Sequence, residues 1–275
     1  MENKDKNKCL ANIKMNLEEA IAIEHFTLGV TLPIIYEQGD NSVLIGTSTL
    51  FSILDRYFVV TASHLFEPPV SLENVGFPDN PRRGSLYTFG KCQCYRFEDK
   101  IFDIAVVEIL EQESIQRLKK GWHFLSINNV AAPSLTGKFF LAGYPISLSN
   151  KDNGWLKGRL ITAYTQRIRE IPNEAEKPVY SDLDLFFHYD DSTTTLGGKK
   201  LETPELPGTS GASVWQVVND SKTELWSPEA TIKVIGVQSS YMRSRYFRAK
   251  NWWAVAKAFR LIDDDISSYI EAFLK

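Results

Sequence analysis

The stretch Val59-Val60-Thr61-Ala62-Ser63-His64 leads from β-branched residues to a histidine. A run of this kind predicts a strand that delivers His64 at its end. Imidazole titrates near neutral pH, which makes it the side chain best suited to accept a proton there. Taken alone, however, a histidine at a strand end is more typical of a satisfied, partly buried ring.

An aspartate opens the next informative stretch, Phe102-Asp103-Ile104-Ala105-Val106-Val107. A carboxylate at the start of a buried strand costs free energy unless it is hydrogen-bonded. An imidazole N–H is one group that would satisfy it. The neighbouring Asp99 lies in a charged segment, between Glu98 and Lys100, and is interpreted as solvated.

A glycine-flanked serine lies in the third stretch, Gly208-Thr209-Ser210-Gly211-Ala212-Ser213. A serine hydroxyl becomes a useful nucleophile when a tight turn sets it beside a base and leaves backbone N–H groups to meet an oxyanion. Glycines on both sides permit such a turn. Ser213 is interpreted as a strand residue, because only Ser210 lies between the two glycines. Alone, the motif is a weak signal.

The rest of the chain favours an all-β fold. Its short apolar runs are rich in Val, Ile, Phe, Tyr and Thr, and Gly, Pro, Asn and Asp clusters separate them. Two of the predicted strands cover 85–97 and 158–167, and the segment 129–136 is a candidate crossing between two β halves. Helix signals are confined to the ends: acidic residues open a short helix after Asn16, and an apolar stripe follows Asp263 to Asp265.

Composition excludes several functional classes. The chain has 275 residues, 43% of them hydrophobic, which is enough for one large domain or two small ones. With a net charge of -3, the chain lacks the excess of positive charge that is typical of a nucleic-acid-binding protein. No apolar run has the length of about 18 residues that a membrane span needs. We therefore expect neither nucleic acid nor membrane as a partner.

Cysteine usage indicates a reducing compartment. The cysteines are Cys9, Cys92 and Cys94, an odd number without a disulfide framework. The polar N-terminus has no apolar core of a secretory signal. We expect a cytoplasmic, bacterial protein.

The three motifs together resemble the chymotrypsin/trypsin family of serine peptidases. Thr61-Ala62-Ser63-His64 resembles the family's Thr-Ala-Ala-His, and Asp103-Ile104-Ala105-Val106 resembles its Asp-Ile-Ala-Leu. The stretch from Gly208 to Ser213 is similar to its Gly-Asp-Ser-Gly-Gly-Pro. The order His, Asp, Ser is also that of chymotrypsin. The resemblance covers roughly 27–240.

The resemblance implies two antiparallel six-stranded β-barrels with the site between them, a C-terminal α-helix and a short N-terminal helix. It divides the chain into an extension (1–26), a first barrel (27–130), a second barrel (131–248) and a C-terminal helical segment (249–275).

The resemblance also implies the site. His64 is the base, Asp103 orients it, Ser210 is the nucleophile, and the N–H groups of Gly208 and Ser210 form the oxyanion hole. The implied activity is endopeptidase hydrolysis of a protein or peptide, with neither metal nor cofactor. Thr209 replaces an aspartate that, in trypsin, pairs with a newly cut N-terminus, so we expect no activating cleavage.

Motif offsets place the candidate substrate-binding residues. Pro204 and Glu205 fall near the base of the primary pocket, and one wall is formed by Gln238, Ser239 and Ser240. Glu205 would favour a basic substrate side chain. The cations after the wall strand would favour an acidic one, but we interpret them as mostly solvated; they are Arg243, Arg245, Arg248 and Lys250.

Three alternatives stay open. The loop from Asp190 to Thr203 has the composition of a mobile segment and is a candidate gate that a regulatory protein partner would order. A catalytically silent module that keeps the fold for protein binding is the main rival. An esterase is a third, although in α/β-hydrolases the nucleophile precedes the histidine.

Overall fold

The computed structural model describes residues 17–39, 41–82, 84–99, 101–152, 155–194, 200–218 and 226–275. The described chain is mostly β and forms two curled, antiparallel seven-stranded sheets with a few helices. This confirms the all-β fold class, and the pair of curled sheets resembles a chymotrypsin-like arrangement.

The first sheet has the strand order β5-β4-β1-β2-β3-β7-β6. Its strands are β1 (Thr31–Gln38), β2 (Asn41–Ile53), β3 (Arg56–Thr61), β4 (Val75–Pro78), β5 (Leu86–Thr88), β6 (Cys92–Arg96) and β7 (Ala105–Ile109).

The second sheet has the order β11-β8-β16-β17-β18-β13-β12, and two short hairpins, β9–β10 and β14–β15, project from it. The strands are β8 (Lys138–Gly143), β9 (Asn150–Asp152), β10 (Trp155–Lys157), β11 (Ile161–Thr165), β12 (Arg167–Ile168), β13 (Asp184–His188), β14 (Ser192–Thr194), β15 (Lys200–Glu202), β16 (Ser213–Val217), β17 (Ile232–Met242) and β18 (Tyr246–Asn251).

The expected six-stranded barrels were wrong in strand count and closure. In each sheet one expected strand bends, and its two halves pair at opposite edges. The expected strand 85–97 bends at residues 89–91 and becomes β5 and β6, while 158–167 bends at Gln166 and becomes β11 and β12. Among the described residues these edge strands do not pair with each other, so each sheet curls without a closing hydrogen-bonded ladder.

Helices occur at more places than the sequence predicted. They are α1 (Leu17–Val30), α2 (Gln112–Gly121), α3 (Pro228–Thr231), α4 (Trp252–Phe259) and α5 (Asp264–Leu274). Helix α1 is a helix of 14 residues rather than a short one, and α4, like α5, falls within the predicted C-terminal helical segment. Helix α2 was missed, although Ile115 and Leu118 are buried three residues apart, with Glu113 in the first turn and two lysines in the last. None of the described helices is long and apolar enough to cross a bilayer.

The segment after α2 connects the sheets. Leu125 forms a bridge with Phe51 of the first sheet, and Val130 forms one with Val234 of the second. The chain thus passes from one sheet to the other between residues 125 and 130, which overlaps the predicted segment 129–136 only at its start. The division of the chain at residues 26, 130 and 248 stays a prediction.

The apolar core extends across both sheets because α4 returns to the first sheet after β18 ends. Phe259 of α4 packs edge-on against Phe58 at 4.9 Å between ring centroids, and Trp252 packs against Phe51 at 4.8 Å. All four rings are fully buried. The C-terminal helices therefore fasten the second half of the chain onto the first.

We expect Phe259→Ala to lower the free energy of unfolding by about 3–5 kcal/mol, because it empties a closed aromatic contact. Phe273→Ala on α5 is the matched control: that ring is 43% exposed, and its loss should change stability by no more than about 0.5 kcal/mol. Urea denaturation measures both values. If Phe259→Ala and Phe273→Ala lower the free energy of unfolding equally, α4 does not fasten the sheets.

Candidate active site

One carboxylate holds His64 by both its ring and its backbone. The ring Nδ1 lies 3.0 Å from each carboxylate oxygen of Asp103, and the backbone N–H of His64 donates to Asp103 Oδ1 at 3.1 Å. A carboxylate oxygen only accepts, so Nδ1 carries the proton and Nε2, on the far side of the ring, is the basic nitrogen. The pair sets the tautomer that a general base requires.

The local chain conformation brings these two residues together. His64 lies in a 3-10 helix, Ser63–Phe66, directly after β3. Asp103 precedes β7 with a φ of 42°, and its carbonyl accepts the Ser63 N–H at 3.3 Å. A positive φ is unfavourable for a non-glycine residue. The neighbouring strands β3 and β7, which are paired from Thr61 and Ala105 onward, hold it in place.

The serine loop is a tight turn with its own hydrogen bonds. The N–H of Thr209 donates to Leu206 O at 2.8 Å, and Ala212 N–H donates to Thr209 O at 2.8 Å. The Thr209 hydroxyl also donates to Leu206 O at 2.8 Å, and Thr209 is fully buried. Thr209 is therefore held locally through both its backbone and its side chain. The expected absence of an activating cleavage stays a prediction, because residues 1–16 lie outside the described residues.

The serine loop is fixed to the first sheet through Thr47 of β2. The Thr47 N–H donates to Ser210 O at 2.9 Å, and its hydroxyl donates to Gly208 O at 2.8 Å. The same hydroxyl accepts the Tyr144 N–H at 3.0 Å. We call these three bonds the inter-sheet contact at Thr47.

Gly211 allows this contact to be so close. Its φ is +87°, and a Cβ there would lie 2.2 Å from Thr47 O and 2.8 Å from the backbone N of Ala62. No other residue fits against that backbone. Ala62 is two residues before His64, so Ser210 lies at the same inter-sheet edge as His64 and Asp103.

Two N–H groups of the loop stay available for a ligand. Within the described ranges, the backbone N–H groups of Gly208 and Ser210 donate to no protein acceptor, whereas those of Thr209 and Gly211 do. The available groups are the ones predicted for the oxyanion hole. The serine loop and the His64–Asp103 pair thus lie at one edge between the sheets.

The candidate substrate-binding residues fall into two places. Pro204 and Glu205 line a cavity beside the serine loop. Gln238, Ser239 and Ser240 lie on β17, where Gln238 O accepts the Gly211 N–H at 2.8 Å. Gln238 and Ser239 are buried, and Ser240 is half-buried. These five residues flank the serine loop but do not line one cavity.

Two of the cations predicted to be solvated are buried. Arg243 and Arg245 are exposed, as expected, at 66% and 61% of the side chain. Arg248 and Lys250 are exposed only at 10% and 2%. The solvated interpretation was wrong for these two, because β18 lies between β17 and β13 in the sheet and all six of its residues are buried.

Asp184 compensates both buried cations. It lies directly across from Lys250 in the β13–β18 register. Arg248 donates to its Oδ1 at 2.8 Å and its Oδ2 at 2.5 Å, and Lys250 Nζ lies 2.6 Å from Oδ1. Sequence reasoning missed this cluster, since its signal is a pairing between residues far apart in the chain.

Burial and the ion pairs act in opposite directions on the pKa values of this cluster. Burial opposes ionisation of Asp184, but contacts from Arg248 and Lys250 outweigh it and lower the Asp184 pKa below its ordinary value. Burial also lowers the pKa of Lys250, and the hydrogen bond with the Asp184 carboxylate opposes that effect. The charged form of Asp184 is therefore the one that the folded protein stabilises.

The candidate gating loop is a β-hairpin in its described part. Strand β14 pairs with β15 from Ser192 opposite Glu202 to Thr194 opposite Lys200. Residues 195–199 of this loop lie outside the described residues. Elsewhere in the described ranges, no group of three or more His, Cys, Asp or Glu side chains is arranged to hold a metal ion.

Comparisons with known proteins find similarity among solved structures only. No family model matches the chain, and no curated protein matches it. Among solved structures, one from work entitled "Aromatic interactions drive the coupled folding and binding of the intrinsically disordered Sesbania mosaic virus VPg protein" has 14% sequence identity and a TM-score of 0.48. The similarity covers 82% of this chain and 87% of that one.

We expect Asp184→Asn to destabilise the protein by about 3–5 kcal/mol at pH 7, because it leaves two buried cations without a counter-charge. Asp182→Asn is the control, since Asp182 is exposed two residues away. It should change the free energy of unfolding by no more than about 0.5 kcal/mol.

The same pair of variants tests the pH dependence. The Asp184 pKa is lower in the folded state, so the unfolded chain binds the proton first, and the stabilisation is complete above about pH 4 and lost as pH falls through the folded-state pKa. The gap between wild type and Asp184→Asn should narrow as pH is lowered from 7 to 3 in urea denaturation. A gap independent of pH would contradict this assignment.

Proposed function

We propose that this chain is a serine endopeptidase in which Ser210 is the nucleophile, His64 the general base and Asp103 the residue that orients the base. The observation that carries the proposal is the paired contact of His64 Nδ1 with both Asp103 oxygens, at 3.0 Å, beside a serine loop bound to the same edge. The order and types of these residues are those of the Ser-His-Asp template.

In the first half-reaction, Nε2 of His64 takes the hydroxyl proton as Ser210 Oγ attacks the substrate's peptide carbonyl. The tetrahedral intermediate collapses, and His64 gives that proton to the leaving amine. The product is an acyl ester on Ser210. A water molecule then attacks this ester by the same route, which releases the acid and restores the serine.

Asp103 keeps the imidazole in one tautomer and stabilises the imidazolium that forms in each step. The N–H groups of Gly208 and Ser210 face the developing oxyanion. A single donor of this kind contributes on the order of 3 kcal/mol to the stabilisation of a transition state. The inter-sheet contact at Thr47 supports this role, because it fixes the carbonyl group of each of the two residues that supply a donor.

The substrate in this proposal is a protein or peptide, and the residues named supply the chemistry without a metal or cofactor. The odd number of cysteines supports a reducing compartment such as the bacterial cytoplasm. The β14–β15 hairpin, which adjoins the cavity at Glu202 and Thr203, is a proposed contact for a regulatory protein.

A fluorophosphonate probe tests the proposal. Wild type should be labelled on Ser210, as located by mass spectrometry of the digested adduct, and Ser210→Ala should not be labelled. His64→Ala should label at least about 1,000-fold more slowly, since the hydroxyl loses its base.

Ser213→Ala is the matched serine control. Its hydroxyl is buried in a 2.6 Å hydrogen bond with Thr49 Oγ1, so labelling of Ser210 should persist in this variant. If wild type fails to react, or if Ser210→Ala labels as well as wild type, the chain is a silent binding module or uses another nucleophile.

A further inference from the structure

The cavity beside the serine loop is unusually small for a substrate pocket. It lies where Pro204 and Glu205 approach the loop, facing Tyr189 of the preceding segment and Tyr241 and Arg243 at the end of β17, and its volume is about 20 Å³. That space holds about one water molecule. Pockets that enclose a ligand are typically some hundreds of Å³.

Aromatic side chains of the protein occupy the space. The Tyr189 hydroxyl donates to Pro204 O at 2.6 Å, which covers the carbonyl at the expected base of the pocket. The Tyr189 ring meets Phe247 edge-on at 6.2 Å between centroids. Phe247 and Leu206 are fully buried, and Tyr241 packs on the same cluster. An incoming side chain finds this volume already filled.

An ion pair closes one side of the cavity. Arg243 Nη1 lies 2.7 Å from Glu205 Oε1. Burial, and then the Glu205 carboxylate, raise the pKa of Tyr241, whose hydroxyl therefore lies close to this ion pair. The other charged lining residues are the exposed carboxylates of Asp190, Asp191 and Glu202, so the lining is acidic and its charge disfavours an anionic side chain. A large side chain of either charge would have to open the Glu205–Arg243 pair.

We propose that this site acts on peptides whose residue before the scissile bond has a small side chain, such as glycine, alanine or serine. The inference rests on the proposed function and on the cavity being the pocket for that residue. Side chains the size of phenylalanine or lysine require Tyr241 to move or the Glu205–Arg243 pair to open. Each methylene that a pocket cannot accommodate reduces reaction by roughly 10- to 200-fold.

Peptidyl diphenyl phosphonates measure this preference directly, because they react covalently with an activated serine. Three probes share one peptide and differ only in carrying an alanine, phenylalanine or lysine side chain next to phosphorus. We expect the alanine probe to modify Ser210 at least about 100-fold faster than either of the others. A fluorophosphonate without a peptide serves as the common reference for an active serine.

Variants that enlarge the cavity should speed the reaction with the larger probes. Tyr241→Ala should raise the rate with the phenylalanine probe at least about 10-fold, because it removes the ring that fills the cavity. Tyr269→Ala, on a ring 44% exposed on α5, is the matched control and should leave the probe order unchanged. Adding Arg243→Ala to the Tyr241→Ala variant frees Glu205 and should raise the rate with the lysine probe. Adding Arg245→Ala instead is the control and should not raise that rate, because Arg245 lies 4.0 Å from Glu174.

The outcomes separate the two proposals. Fluorophosphonate labelling of Ser210 together with equal wild-type rates for the alanine, phenylalanine and lysine probes overturns the small-residue preference alone. Failure of fluorophosphonate to label Ser210 overturns the proposed function as well. The wild-type rates decide the question even if Tyr241→Ala does not fold.

Discussion

The inter-sheet contact at Thr47 is the constraint on which the candidate site depends. His64 and Asp103 belong to the first sheet and Ser210 to the loop that enters the second, so neither sheet holds the set alone. Thr47 binds both Gly208 O and Ser210 O, at 2.8 and 2.9 Å. These bonds are buried, where an unpaired carbonyl is costly, so the two sheets must meet in one register.

Apolar packing and ion pairs elsewhere in the protein also join parts of the chain that are distant in sequence. Helix α4 carries Phe259 and Trp252 across to the first sheet, and Arg56 of β3 reaches Asp263 before α5 at 3.4 Å while it holds Glu108 at 2.7 Å. In the second sheet, Asp184 pairs with Arg248 and Lys250. The aromatic contact and the charge cluster each join parts of the chain that are far apart in sequence.

Features that depend on neighbouring residues, such as strand ends and turns, could be predicted from the sequence. The run up to His64, the aspartate before an apolar strand and the glycines around Ser210 each indicated a turn or strand end, and the fold class followed from strand-forming runs. The two bent strands, the burial of Arg248 and Lys250 and the filling of the cavity by Tyr189 and Tyr241 could not be predicted in the same way. Each depends on which strand lies opposite, and that is decided by pairing between residues far apart in the chain.

Cooperation between His64 and Ser210 is best tested by the kcat/KM for peptide hydrolysis of His64→Ala, Ser210→Ala and the double variant. Residues that act as one unit are strongly non-additive, because removing the first already abolishes the contribution of the second. We predict that the double variant is no slower than Ser210→Ala. Losses that multiply in the double variant would show that the imidazole and the hydroxyl act independently, which would contradict a shared catalytic unit at the inter-sheet edge.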